Sequence, residues 1–216
     1  MSTVARPERT RLLEATLEEL AEKGYRAFEV EAAVHRAHLS GEEWSNRFPD
    51  KDACLLEAFK ELSGQMRAAI AGGSRAAGTW SDRVAAGLRA LLAELARRAT
   101  VAEAVAHTFP AIGPAAMTRY QQFVESLAPL LAPGRALAGD VELPRTAEML
   151  AVGAAEAIVM ERIHAGATAT LPELGPEILF SILVVFVGPE AAGEAMAKER
   201  SRLRPSSGRT AGRSGR

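Results

Sequence analysis

The stretch from Phe28 to Lys51, FEVEAAVHRAHLSGEEWSNRFPDK, decides how the chain is read. Val30, Ala33, Val34 and Ala37 recur at helical spacing, so a first short helix turns a small apolar face inward and exposes Glu31, His35 and Arg36. The pattern breaks at His38-Leu39-Ser40. Ser40 followed three residues later by Glu43 is a capping box, in which the serine oxygen takes a free backbone N–H and the glutamate reaches back to the cap. A second helix is predicted to start near Gly41 and to stop before Pro49, since proline disfavours helical geometry in the residue before it. That leaves about two turns carrying Trp44, Ser45, Asn46 and Arg47. Two short helices with a tight corner suit a helix-turn-helix that offers its second helix to a DNA groove, and equally an αα-corner in any helical bundle.

Upstream, Pro7 sits near the first turn of a helix whose stripe Leu13, Leu17, Leu20 and Ala21 runs to Gly24. Downstream, Asp50 caps a fourth helix carrying Leu55, Leu56, Phe59, Leu62, Met66 and Ile70, with an expected stop at Gly72-Gly73-Ser74. The order, spacing and residue types from Arg9 to Phe59 resemble the DNA-binding domain of the tetracycline-repressor (TetR) family of transcription regulators: the Gly24-Tyr25 ending, the VEAAVHRAHLS corner, Trp44, Phe48-Pro49-x-Lys51 and the apolar fourth helix. The resemblance implies an all-α homodimer with a helix-turn-helix head, here residues 1–50, and a helical effector-binding and dimerisation body, here 51–196, the helix at 51–71 linking them. It also implies a double-stranded DNA operator and a small-molecule effector as partners.

Composition agrees with all-α: few β-branched or aromatic residues and much Ala, Leu, Glu and Arg in a chain of 216 residues. Cys54 alone permits no internal disulfide and suits a reducing compartment. No signal peptide is evident, and no stretch reads as a membrane span, so the expected place is the cytoplasm.

In the body, Thr79 or Ser81 caps a helix with Val84, Leu88, Leu91, Leu92 and Leu95 on one face. Further helices are expected from Val101 to Phe109, from Pro114 to Pro133-Gly134, from Arg145 to His164 and from Pro176 to Val187. The last, ILFSILVVFV, is apolar all round and reads as core or interface, too short to span a bilayer. By resemblance, the dimer forms through the last two long helices. From Lys198 the chain holds seven basic residues against one acid, a net +6, and is predicted to lack structure. Such a tail either solubilises the chain or holds a polyanion loosely.

A DNA reader needs cations for phosphates and polar groups for base edges. By family position the candidates are Arg9, Ser40, Gly41, Glu43, Trp44, Ser45, Asn46, Arg47 and Lys51, with Arg6 and Arg11 nearby; Trp44 also suits packing beneath the helix. The chain departs from the family's pattern here. The turn glycine is His38, the Ser or Thr before the second helix is Phe28, and positions usually carrying Lys, Gly, Thr and Tyr are Gly41, Glu42, Glu43 and Ser45. Residues 1–60 hold nine basic groups against twelve acidic ones, a net −3, where a DNA-facing surface should be basic. Glu42 and Glu43 either stabilise the helix start or accept from cytosine N4. Weak non-specific DNA binding with a shallow salt slope is expected.

Effector pockets are mostly apolar with a few polar groups. Phe109, Met117, Tyr120, Phe123, Met149 and Met160 are the candidate lining, with His107, Glu156 or Arg119 for polarity; each also suits ordinary core packing. No catalytic constellation is evident. Glu103 and His107 lie one turn apart, as ordinary helix pairs do, and His35 and His38 lack further metal ligands, so no metal or cofactor is implied.

Overall fold

The computed structural model describes residues 5–203, with side chains from residue 8; the Arg6 side chain and the basic segment beyond residue 203 lie outside what it describes. The described chain is all-α and contains no strand. Helix α1 (Ala5–Lys23) buries Leu12, Leu13, Leu17 and Leu20, against α2 (Val30–Arg36) on one side and α4 (Lys51–Ser74) on another. Between α2 and α3 (Gly41–Ser45), His38 adopts φ 55, the one non-glycine residue with positive φ among those described. A side chain there costs on the order of 1 kcal/mol that glycine would avoid. Phe28, the other departure in the corner, is buried in the head core. Tyr25 donates to Asp52 at 2.8 Å and fixes the α1–α2 connection to the start of α4.

The fourth helix does not stop at Gly72-Gly73; it runs through both to Ser74. A Cβ at Gly73 would sit 2.6 Å from the Ala86 carbonyl oxygen, and one at Gly87 would sit 2.6 Å from Ser74 Oγ, so these glycines let α4 approach α5 (Trp80–Arg97). Helix α6 (Ala99–Ile112) starts before Val101 and carries Pro110 inside it, ending instead at Gly113, φ 104. Helix α7 (Pro114–Glu125) closes early, and the chain to Leu137 proceeds as 3-10 turns. There Gly134 packs flat on Trp80, where a Cβ would meet the indole at 2.5 Å.

Helix α8 (Ala147–His164) starts two residues after the expected Arg145 and ends where expected, and α9 (Gly175–Leu203) extends far beyond Val187. Gly188, φ 75, bends α9 before Pro189, and the helix then resumes. The first six residues of the supposed unstructured tail are therefore helical, held by Lys198 to Asp82 at 2.6 Å, Arg200 to Glu177 at 2.7 Å and Glu199 to Arg89. Burial of ion-paired Glu199 explains why a basic run stays helical here. The segment from Thr168 to Leu203 is long and apolar enough by composition to cross a membrane, so shortness is no argument against it. Ile178, Leu179, Ile182, Leu183 and Phe186 are instead buried within the chain's own core.

Candidate functional site

Two regions carry the candidate chemistry. In the head, Ser40 Oγ accepts the Glu43 N–H at 3.2 Å while Glu43 accepts the Ser40 N–H at 2.7 Å, so the capping box forms in full. These bonds hold the Glu43 carboxyl below its ordinary pKa. Glu43 is thus engaged in starting the helix. The exposed face of α3 and the residue after it is Gly41, Glu42, Ser45 and Asn46, and Ser45 Oγ donates to the Glu42 carbonyl. Trp44 packs inward against the head core, 6.2 Å from Phe48 between ring centroids.

The cations assigned to DNA are engaged within the protein. Arg9 bonds Glu57, and Glu61 at 3.4 Å. Arg47 donates to Glu8 at 3.3 Å, with its other terminal nitrogen buried and unpartnered. Lys51 lies 4.3 Å from the centre of the Tyr25 ring and donates to the Tyr25 carbonyl at 3.3 Å. Arg11 reaches the Ala37 carbonyl at 3.5 Å, and Arg36 gathers Glu18, Glu19 and Glu22. Sequence reasoning did not single out Lys23 and Arg26, which are exposed near the end of α1. Exposed charge leaves no periodic signal to find them by.

The second region is a cavity of about 690 Å³ lined mainly by α4, α5, α6, α7 and α8, with the 3-10 segment after α7 and Ile182 of α9 completing the wall. Of the candidate lining residues, Phe109, Met117, Tyr120, Phe123, Glu156 and Met160 border it. Met149 does not, being 41% exposed near the start of α8, and Arg119 is exposed outside the wall. His107 also lies outside, on the surface, edge-on to His164 at 5.5 Å. The Glu103 carboxylate accepts the Thr168 N–H at 3.3 Å, whereas His107 Nδ1 meets the Glu103 backbone carbonyl at 2.7 Å, so the two side chains form no acid–base pair. No group of three or more His, Cys, Asp or Glu residues is placed to hold a metal among the described residues.

Part of the cavity wall comes from residues the sequence reading placed on ordinary core stripes, Phe59 and Met66 on α4 and Leu88 and Leu91 on α5, and part from Ser63 and Trp80, which it did not single out. Such stripes are those of any buried helix. Inside the cavity, Tyr120 donates to Glu156 at 2.6 Å; burial first, and this bond second, push the phenol above its usual pKa. Phe59 stands edge-on to Phe109 at 4.4 Å and to Phe123 at 6.3 Å, joining the cavity wall to the head core.

A helix-turn-helix set on a hollow helical body is similar to the fold of solved transcriptional regulators. FadR of Bacillus subtilis, solved with stearoyl-CoA, matches with a TM-score of 0.67 at 18% identity, over 82% of this chain and 97% of that one. FadR of Bacillus halodurans, a fatty acid degradation regulator, gives 0.69 at 17%, over 80% and 96%. A protein of Mesorhizobium loti described as a TetR-family transcriptional regulator gives 0.63 at 20%, over 86% and 97%. The chain has their all-α fold. No family model and no curated protein sequence matches it.

Proposed function

We propose that this protein is a cytoplasmic, ligand-responsive, DNA-binding transcriptional repressor that holds a pseudo-palindromic operator as a homodimer. The observation that carries the reading is a helix-turn-helix, Val30–Ser45, in one chain with a large apolar cavity whose wall shares Phe59 with the head core. Gly41, Ser45 and Asn46 meet base edges, Asn46 being able to bond N6 and N7 of one adenine together. The effector occupies the space bounded by Phe109, Met117, Tyr120, Phe123, Glu156 and Met160. Stearoyl-CoA bound to FadR, a protein of the same fold, supports an effector with a long apolar portion. Dimerisation uses the outer face of α8 with α9. Met149 and Leu150 are exposed there, and a Cβ at Gly153 would meet nothing within 4 Å, leaving room for a second helix. Effector binding favours a conformation whose two heads are wrongly spaced for successive major grooves, which moves the population off DNA.

A second reading is favoured by the paired cations of the head: the same fold serves as a ligand-binding or protein-interaction module that no longer reads DNA. Selection of genomic fragments by the purified protein across a salt series separates the two. Recovery of an inverted repeat eliminates the second reading, and no enrichment at any salt eliminates the first.

A further inference from the structure

Among the described residues, Glu156 is the one acid bordering the cavity. Its Oε1 accepts the Tyr120 hydroxyl, and no cation of the described residues pairs with it. The cavity that Glu156 borders is lined mostly by aromatic and aliphatic side chains, with Phe59 edge-on to both Phe109 and Phe123 and Tyr120 in the same wall. An ionised carboxylate facing apolar space is costly until something positive meets it, and one phenol hydrogen bond does not supply a charge. Aromatic faces attract cations as well. The arginines of the same cavity, Arg67 and Arg83, are exposed to solvent, which screens them, and Arg83 already donates to the Gly78 carbonyl at 2.9 Å.

We infer that the ligand of this cavity is an amphipathic cation, an amine or quaternary ammonium on a long apolar body, whose positive charge lies against Glu156 and the Tyr120 ring. The inference rests on the proposed role of the cavity as the effector site. The apolar body replaces the empty volume and removes its own surface from water. A fatty acid or phosphate ester of equal length finds no partner at Glu156 and is repelled by it.

Isothermal titration of the full chain with dodecyltrimethylammonium, dodecanol and dodecanoate, each below its micellar concentration, tests this. The cation should bind about tenfold tighter than the alcohol, equivalent to about 1.4 kcal/mol, with dodecanoate weakest. Glu156→Gln should erase the cation-to-alcohol ratio, whereas Tyr120→Phe, which keeps the carboxylate, should preserve it. Equal binding of cation and alcohol, a ratio that survives Glu156→Gln, or tightest binding of dodecanoate overturns the inference and leaves the cavity as an effector site for another apolar ligand. Failure of all three compounds to bind overturns both.

Discussion

The head and the body of this protein treat empty space and polar groups in opposite ways. In the head, Leu12, Leu13, Leu20 and Cys54 are fully or almost fully enclosed, and nearly every cation that DNA would need is bonded to the protein itself. In the body, helices of comparable apolar content stand apart around about 690 Å³, and an acid borders the gap without a counter-charge. The head is filled and electrostatically closed; the body is left incomplete in a way that a ligand can complete. Apolar composition alone does not distinguish them, because what matters is whether facing helices meet.

The sharpest way to break the contrast is to delete the same atoms in both regions. Leu13→Ala, in the head, should cost about 3 kcal/mol, because the surroundings relax little around the missing atoms. Leu88→Ala, at the cavity wall, should cost about 1 kcal/mol, since a side chain bordering empty space forfeits fewer contacts. Urea denaturation of both variants measures the difference, and equal losses would mean the cavity is closed in solution.

Opening the electrostatic closure is the next test. In Glu8→Gln/Glu57→Gln/Glu61→Gln, Arg47 and Arg9 lose their partners. Non-specific DNA affinity should then rise, and the plot of log affinity against log salt should steepen by about 0.9 for each phosphate gained. An unchanged slope would show that these arginines do not face the duplex.

A smaller effect concerns α3 itself. Ser40→Ala removes the reciprocal cap and should cost about 1 kcal/mol of stability, read by the denaturant midpoint. Smallest of all is the tie between α5 and the end of α9. Lys198 and Thr79 hold the Asp82 carboxyl at about 2, below its ordinary 3.8. Its contribution is therefore complete above the ordinary value and lost as pH falls toward 2. Asp82→Asn should be slightly less stable than the unaltered protein at neutral pH, with the gap closing through that acid window in paired denaturation series.

The head was legible in the sequence because its determinants are local. Ser40 and Glu43 are three positions apart, Asp50 caps its own helix, and Pro49 closes the segment that precedes it. The misread boundaries have tertiary causes. Gly73 reads as a stop, yet it serves contact with Ala86 and Ala90, thirteen and seventeen positions on. Gly188 and Pro189 read as an end, but Ala192 and Glu199 find burial beyond them, so the helix bends and continues. In the cavity, Tyr120 was found as part of an apolar lining and Glu156 by its polarity. Met149 lies two turns before Glu156, where the helix has already passed beyond the space. Ser63 and Trp80 were missed because a hollow between α4 and α5 is a property of their separation, which neither helix encodes alone.

The edge contact of Phe59 with Phe109 has a consequence for cooperativity. Phe59, Val105, Phe109 and Ala116 belong to the same buried cluster as Leu12 and Leu55, so α1, α4 and α6 share one core. Amides in α1 and α6 should accordingly exchange with solvent deuterium at a common rate, as one opening unit. A molecule lodged against Phe109 would slow both together, and an excised head would lose a wall of its own interior.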